Sequence, residues 1–355
     1  MTRKTTRKVK VGNIYIGGEA PVVIQSMTST PTVDIEATVK QIRALTLAGC
    51  ELVRVGVPDM DSALAIARIK KQVDIPIVAD IHFDYKLALA SIEAGADKIR
   101  INPGNIGTAW KVRELVLAAK ERGVPIRIGV NSGSIKKSVL ERCGGATASA
   151  MVESAREEIR ILEDMDFFDI VVSLKASDIH RTIEANRIFS SKFDYPIHLG
   201  ITEAGLPFSG AIRSAVGIGA LLLEGIGDTI RVSLSADPVL EIRAAKEILK
   251  STGARNDWIT ILACPTCARC LIDVVGIAEE LEKLVGNLKV NLTVAVMGCE
   301  VNGPGEAKEA DIGIAGTRDG ALLFVMGKAM RKIKKDELLP ALVETIKDFA
   351  GKKTS

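Results

Sequence analysis

Residues 76–102 read PIVADIHFDYKLALASIEAGADKIRIN and contain one complete repeat of a pattern that runs through most of this chain. A short β-branched run is followed by a polar turn, an amphipathic segment of helical period and a second β-branched run, which indicates a strand–helix–strand unit. Eight such runs occur: VVIQS (22–26), LVRVGV (52–57), PIVADIH (76–82), KIRIN (98–102), IRIGVN (126–131), IVVSLK (170–175), IHLGIT (197–202) and TIRVSL (229–234).

The spacing of the eight runs predicts an α/β fold, a (β/α)₈ TIM barrel. They begin mostly 21 to 31 residues apart, and a span of about 230 residues is usual for such a barrel. One step of 44 residues, between the fifth and sixth runs, predicts an extra helix or an elaborated loop. The alternative is an open doubly wound sheet, which usually has fewer strands and a glycine-rich phosphate turn after the first; QSMTST (25–30) is not such a turn.

Composition excludes several classes of protein. The net charge of +3 over 355 residues offers no reason to expect nucleic acid or a membrane surface as a partner. The longest apolar run, AVGIGALLL (215–223), is too short to span a bilayer. No apolar segment follows the basic residues near the N-terminus, so we expect a solvated basic tail and a cytoplasmic protein. In that reducing compartment, clustered cysteines indicate metal or redox ligands.

Polar and charged residues stand at the carboxyl ends of the predicted strands, where TIM barrels build their active sites. Residues two apart project to the same side of a strand, as in the pairs Asp80/His82 and Arg100/Asn102. The whole set comprises Arg54, Asp80, His82, Arg100, Asn102, Arg127, Asn131, Ser173, Lys175, Glu203, Arg231 and Ser233. The cations outnumber the carboxylates, which predicts a site for a small, strongly anionic molecule such as a diphosphate. The alternative is that these charges pair only with one another.

The alternation changes after the eighth unit, and we expect a barrel over residues 1–250 and a small α+β domain over 251–355. The predicted elements of that domain are a strand at 258–263, a helix at about 268–287, strands near 292–297, 311–315 and 322–326, and a final helix at 335–351.

Four of the six cysteines lie in this second domain, three in CPTCARC (264–270) and the fourth, Cys299, in a glycine-rich segment that we expect to form a loop. Zinc usually takes two CxxC pairs, and a thioredoxin-like pair leaves Cys299 unexplained. Close cysteines with one remote cysteine are typical of an iron–sulfur cluster. Spacing alone favours Cys270 as the fourth ligand and makes Glu306 a surface charge.

Six motifs together resemble the 4-hydroxy-3-methylbut-2-enyl diphosphate synthases of the non-mevalonate isoprenoid pathway, in their compact two-domain form. These are PVVIQSMTST (21–30), VADIHFDYKLAL (78–89), KIRINPGNIG (98–107), IRIGVNSGS (126–134), CPTC (264–267) and MGCEVNGPGE (297–306). The likeness extends over nearly the whole chain. Two departures are Ala268, where glycine is more usual, and Cys270, which is not among the family's cluster ligands.

The resemblance implies a barrel that binds 2-C-methyl-D-erythritol 2,4-cyclodiphosphate and a second domain whose [4Fe–4S] cluster reduces it. It implies that the cluster ligands are Cys264, Cys267, Cys299 and Glu306, which overrules the spacing. A carboxylate ligand is labile and can give up its position to substrate, in the way that catalytic metal sites keep a position open. The resemblance also implies ferredoxin or flavodoxin as electron donor, and a homodimer in which one chain's cluster domain faces the other's barrel. For the proton donor we expect Glu203, with Asp80 and His82 as second choices.

Overall fold

A computed structural model describes residues 3–286 and 288–354. The chain divides into two compact units, one ending at Ala254 and the other beginning at Arg255. None of the described helices is both long and apolar enough to cross a membrane.

The first unit is a barrel of eight parallel strands, which confirms the predicted fold. The strands are β3 (Val23–Met27), β4 (Leu52–Gly56), β5 (Ile77–Asp80), β6 (Lys98–Ile101), β7 (Ile126–Asn131), β8 (Ile170–Lys175), β9 (His198–Leu199) and β10 (Thr229–Ile230). They pair in the order β8-β7-β6-β5-β4-β3-β10-β9. A parallel bridge between Val172 and Ile197 links the two ends of this sheet.

Helices alternate with the strands and surround the sheet. They are α1 (Ile35–Ala48), α2 (Met60–Lys70), α3 (Tyr85–Glu93), α4 (Pro103–Ile106), α5 (Ala109–Arg122), α6 (Lys137–Cys143), α7 (Ala148–Glu163), α8 (Ile179–Lys192), α9 (Pro207–Leu223) and α10 (Pro238–Ser251). Aspartates cap α1, α2, α3, α8 and α10, each side chain accepting a hydrogen bond from a first-turn N–H. The long step between the fifth and sixth strands contains α6, as predicted.

A short hairpin that the sequence analysis did not foresee precedes the barrel. Its strands are β1 (Val9–Val11) and β2 (Ile14–Ile16), and their buried side chains pack against residues of β3, β4, β5 and β8, among them Leu52 and Val171. Leu52 and Val171 lie at or near the amino ends of their strands, so the hairpin covers that end of the barrel.

The expectation of a solvated basic tail is wrong for three of its residues. Lys4 Nζ donates to the carbonyl of Phe193, and Arg3 donates to the carbonyl of Gly18. Arg7 Nε lies 2.8 Å from Asp194 Oδ1. These bonds fasten the segment that precedes the hairpin to the amino end of the barrel, which is why it is ordered rather than free.

The second unit is built on a five-stranded sheet in the order β11-β12-β13-β14-β15. Its strands are β11 (Ile259–Ala263), β12 (Leu292–Met297), β13 (Ile312–Thr317), β14 (Gly320–Val325) and β15 (Lys328–Lys334). The first three are parallel and the last two antiparallel. Helices α11 (Val274–Val285) and α13 (Leu338–Thr354) share one apolar cluster with the sheet, and α12 (Gly303–Glu309) contributes Ala307 to another.

Three predictions for this unit need correction. The helix expected from about residue 268 begins at Val274, because the cysteine-bearing segment before it is irregular. The segment expected to be a loop after Cys299 contains α12, with proline in its first turn. Strand β15 was missed, because its side chains are nearly all exposed and it has no alternating apolar pattern.

Candidate active site

The predicted charges at the barrel mouth lie on neighbouring strands in matching register. Asp80 of β5 pairs with Arg100 of β6, and Arg100 pairs with Arg127 of β7. Four residues beyond Arg127 on β7, Asn131 pairs with Lys175 of β8. Matching register places side chains of adjacent strands side by side, so these residues form one continuous polar surface at the carboxyl end of the barrel.

Asp80 is the central anion of this surface. Its carboxylate lies 3.1 Å from Arg100 Nη1, 3.7 Å from Arg54 Nε and 3.8 Å from His82 Nε2. Burial by itself would raise the pKa of Asp80, but the nearby charge of Arg54, the bond to His82 and the charges of Arg100 and Arg127 outweigh it and hold the pKa well below its usual range. Asp80 is therefore ionised and orients two guanidinium groups.

Arg127 and Lys175 have no carboxylate partner in the described part of the chain. Arg127 is only 1% exposed, and its Nε has no hydrogen-bond partner among those residues. Burial lowers the pKa of both groups well below their usual values, and the neighbouring arginines add repulsion. Unpaired buried cations are costly, so this part of the site favours an anionic guest.

Two glycines make room for the cations. A Cβ added at Gly129 of β7 would lie 2.7 Å from Nε of Arg100, and one at Gly200, just after β9, would lie 2.6 Å from Nζ of Lys175. Because real Cβ contacts are not this short, any side chain here would force the Arg100 or Lys175 side chain to shift.

Glu241 is a residue of the site that sequence reasoning missed. It belongs to α10, is 2% exposed, and its Oε1 lies 3.2 Å from Nη2 of Arg231. The same carboxylate accepts hydrogen bonds from the Ser26 hydroxyl at 2.9 Å and from the Leu234 N–H at 3.0 Å. Glutamates are common on exposed helix faces, so nothing in the sequence distinguishes this one.

A second missed feature lies deeper in the barrel. Lys98, the first residue of β6, is fully buried, and its Nζ has no hydrogen-bond partner within the described ranges. Burial and then the charges of Arg127 and Arg54 lower its pKa well below the usual value. His198, the first residue of β9, places Nδ1 3.4 Å from the Thr229 hydroxyl. Burial lowers the pKa of His198 well below its usual value, so it is neutral.

The remaining predicted residues line the rim. His82 is 56% exposed and contacts Arg100, while Asn102 accepts a hydrogen bond from the Gly129 N–H. Asn131 and Ser233 are partly buried. Glu203 is exposed in the turn after β9, and its backbone φ is +55°. A glutamate in this left-handed region is uncommon and marks a position held by its surroundings.

In the second unit, the two cysteine-bearing segments meet at the carboxyl ends of neighbouring parallel strands. Cys264 directly follows β11, and Cys299 lies two residues beyond the neighbouring parallel strand β12. The Gly298 N–H donates to Cys264 Sγ at 3.2 Å. Backbone N–H groups of Asn302, Val301 and Gly303 lower the pKa of the Cys299 thiol, because they stabilise its thiolate.

Cys270 lies beside Cys264 rather than apart from it. A Cβ at Gly298 would fall 2.5 Å from Cys270 Sγ and 3.5 Å from Cys264 Sγ. Cys270 Sγ lies 3.1 Å from the carbonyl of Ile272, to which its thiol donates. Cys267 and Glu306 are both exposed, and Glu306 is in the first turn of α12. Among residues 3–286 and 288–354, no three His, Cys, Asp or Glu side chains lie close enough together to hold a metal ion.

The cysteine side chains of this unit nevertheless have the chemistry of ligands for a metal–sulfur group. Two of its thiols accept backbone N–H hydrogen bonds, which stabilise thiolates. The Gly298 position also leaves space beside two sulfurs that a side chain would fill. These features fit an iron–sulfur group, whose properties depend on hydrogen bonds to sulfur.

Each of the two units matches a domain of a known protein family. Residues 6–246 match the GcpE TIM-barrel domain, and residues 260–348 match the GcpE protein C-terminal domain. The chain belongs to the GcpE family. The family resemblance inferred from the six motifs is thereby confirmed.

Similar proteins of known name cover nearly the whole chain. Relatives from Bacillus cytotoxicus, Geobacillus thermodenitrificans and Clostridium perfringens are 57%, 58% and 57% identical, each over 98% of this chain and over 95%, 93% and 99% of their own lengths. Each is named 4-hydroxy-3-methylbut-2-en-1-yl diphosphate synthase (flavodoxin). Among solved structures, the dihydropteroate synthase of Yersinia pestis is 12% identical with a TM-score of 0.51, covering 71% of this chain and 100% of its own. That likeness concerns the barrel fold alone.

Proposed function

We propose that this chain is an oxidoreductase that converts 2-C-methyl-D-erythritol 2,4-cyclodiphosphate into 4-hydroxy-3-methylbut-2-enyl diphosphate, a step of non-mevalonate isoprenoid biosynthesis. The names and near full-length identity of the relatives support this activity. The observation on which the proposal rests is the excess of buried positive charge at the barrel mouth. Of the five cations there, Arg54 and Arg100 pair with Asp80, and Arg231 pairs with Glu241. In the described part of the chain Arg127 and Lys175 pair with no carboxylate.

The reaction consumes two electrons and releases one water. The carbon–oxygen bond that closes the cyclodiphosphate ring breaks, the C3 hydroxyl leaves as water after taking up a proton, and the diphosphate becomes linear. A [4Fe–4S] cluster, held in our proposal by Cys264, Cys267, Cys299 and Glu306, supplies the electrons one at a time when bound. Flavodoxin or ferredoxin delivers them.

The barrel residues bind and orient the diphosphate. Ring opening concentrates negative charge on the diphosphate. Preorganised hydrogen-bond donors that bind this charge more strongly in the transition state than in the substrate therefore lower the barrier. Arg127 and Lys175, whose charged forms are disfavoured by burial, gain most from a bound anion. The proposed substrate-binding residues are Arg54, Arg100, Asn102, Arg127, Asn131, Lys175, Arg231 and Ser233.

Glu203 is the proposed proton donor. Asp80 is held as a carboxylate by its cations and so is poorly suited to give up a proton, which leaves its proposed role as the orienter of Arg54 and Arg100. His82, exposed at the rim against Arg100, is the second candidate donor. We further propose that the enzyme is cytoplasmic and works as a homodimer.

Two other functions explain less of the chain. A zinc-stabilised barrel transferase acting on a phosphorylated substrate would account for the barrel cations. It would not account for cysteines that lack the paired CxxC spacing of zinc sites. A non-catalytic cluster protein would have no use for unpaired cations such as Arg127 inside its barrel.

The test compares the unaltered protein with Glu306→Ala and Cys270→Ala, purified without oxygen. Iron content and reductive turnover of the cyclodiphosphate with a low-potential donor are measured for each. We expect Cys270→Ala to retain iron and turnover, and Glu306→Ala to lose turnover. If Cys270→Ala loses its iron and Glu306→Ala does not, the ligand set is four cysteines and the assignment of Glu306 is wrong. A colourless zinc protein without reductive turnover would refute the proposed function itself.

A further inference from the structure

The edge strand β15 carries a concentrated positive charge. Between Gly320 and Lys335 the sequence contains five cations, Lys328, Arg331, Lys332, Lys334 and Lys335, and no carboxylate. These five charges exceed the net charge of the whole chain, which is +3. All five side chains are exposed, and within the residues that the structure describes none of them forms an ion pair.

The same strand exposes apolar side chains among the charges. Met330, in the middle of β15, and Met326, in the turn before it, are each 60% exposed. Ile333 is the buried residue of the strand. We call residues 326–335 the β15 edge. Protein interfaces commonly have an apolar centre within a polar rim.

The β15 edge lies on the same sheet as the cysteine segments. Lys332 pairs with Leu322, Leu322 with Ala315, and Ala315 with Met297 at the end of β12. Three strand spacings, about 14 Å, therefore separate Lys332 from the strand that leads to Cys299. Because β15 runs parallel to β12, its last residues lie at the same end of the sheet as the cysteines that follow β11 and β12.

Protection of the sheet edge is the simplest alternative explanation. Lysines on an edge strand discourage pairing with another chain. That role requires a few charges, and it gives no reason to expose two methionines beside them, since exposed apolar groups favour association.

We propose that the β15 edge is the docking surface for an acidic one-electron carrier protein. The proposal rests on the proposed function, for which such a carrier is needed. Electron-transfer encounters are small and transient, and complementary charge raises their association rate. Each encounter oxidises the carrier by one electron and leaves that electron on the cysteine-bearing domain, so two encounters supply the two electrons of the reduction.

The test uses the iron-loaded protein with the double variant Arg331→Glu/Lys332→Glu. The matched control is Lys283→Glu/Lys347→Glu, which makes the same change in net charge at exposed positions of α11 and α13. Turnover is measured against the concentration of reduced flavodoxin at several salt concentrations, and separately with reduced methyl viologen, a small donor that needs no docking surface.

We expect the β15 variant to raise the KM for flavodoxin about tenfold or more and to flatten its salt dependence. Turnover with methyl viologen and all properties of the control should be unchanged. An unchanged KM for flavodoxin would overturn the proposal and leave edge protection as the role of the charges. A change in the oligomeric state of the β15 variant, with KM unchanged, would instead identify an interface between copies of this chain.

Direct binding decides the remaining outcomes. If the β15 variant loses turnover with both donors, flavodoxin binding to the milder Arg331→Gln/Lys332→Gln variant is measured by surface plasmon resonance, and an unchanged Kd overturns the proposal. If the unaltered protein turns over with neither donor, the proposed function fails. Flavodoxin binding that depends on Arg331 and Lys332 would still support the docking surface.

Discussion

Replacement of Lys98 by methionine should stabilise the barrel. Lys98 is fully buried at the start of β6, its Nζ has no hydrogen-bond partner in the described residues, and the nearby charges of Arg127 and Arg54 repel it. Methionine is similarly long and unbranched, and it has no charge to desolvate. Replacing a buried ion pair by apolar groups of similar volume often stabilises by about 1–4 kcal/mol, and because Lys98 has no partner to lose, we expect a gain in that range at pH 7.

The pH dependence of this gain follows from the direction of the pKa shift. Burial lowers the pKa of Lys98 in the folded protein well below its unfolded value of 10.5, so the unfolded chain binds more protons in the interval between the two. Stability therefore rises with pH across that interval, by up to about 1.4 kcal/mol per pH unit for this group. The Lys98→Met variant lacks this pH-dependent gain in stability. The difference in unfolding free energy between the variant and the parent should therefore shrink by up to about 3 kcal/mol between pH 7 and pH 9.

Equilibrium unfolding in urea at pH 7, 8 and 9 measures both effects. The chain has two tryptophans, Trp110 and Trp258, so in a Trp258→Phe background the fluorescence of Trp110 reports on the barrel alone. Lys120→Met, at an exposed position of α5, is the control and should change neither stability nor its slope with pH. A Lys98→Met protein that is less stable than its parent, with the same slope, would refute the reasoning and mean that Lys98 is charged and paired inside the barrel.

Three further changes test the geometry of the mouth. Glu241→Gln should weaken the ion pair with Arg231 and lower kcat/KM for the cyclodiphosphate by about tenfold or more, because a charged hydrogen bond contributes about 1.5–3 kcal/mol. Steady-state kinetics measure this change. An unchanged kcat/KM would exclude a positioning role for Glu241. Gly129→Ala should displace Arg100, whose Nε would lie 2.7 Å from the new Cβ, and raise the KM, whereas binding as tight as in the parent would contradict the proposed role of Arg100. Asp80→Asn leaves Arg100 without a counter-charge and should lower the free energy of unfolding by about 3–5 kcal/mol; added pyrophosphate should restore part of that loss in a thermal melt.

The barrel was predictable because its signal is local. A strand covered on both faces requires a run of β-branched residues, as in β5 and β8, and the helix that follows requires an apolar stripe. Both patterns can be recognised within a short stretch of consecutive residues. The polar ends were predictable for the same reason, since residues two apart, such as Ser173 and Lys175 of β8, share one side of a strand. The hairpin before the barrel was not, because three-residue strands carry too little pattern to recognise.

The role of Glu241 depended on the tertiary structure. It lies ten residues after Arg231 along the chain, on a helix, and only the packing of α10 against the barrel turns its carboxylate inward. The isolation of Lys98 is likewise a property of the closed barrel, because burial without a partner is set by residues from other strands. In the second unit, the place of Cys270 beside Cys264 follows from the fold around Gly298 rather than from spacing.

The sequence by itself determined the class of fold, the end of the barrel that carries the charged side chains, and the four cysteines of the second unit, because each is a pattern of residue types along a short segment. The tertiary structure decided which charges are paired and which are not. That difference depends on distances between residues far apart in the chain, and charge interactions change steeply with distance and burial.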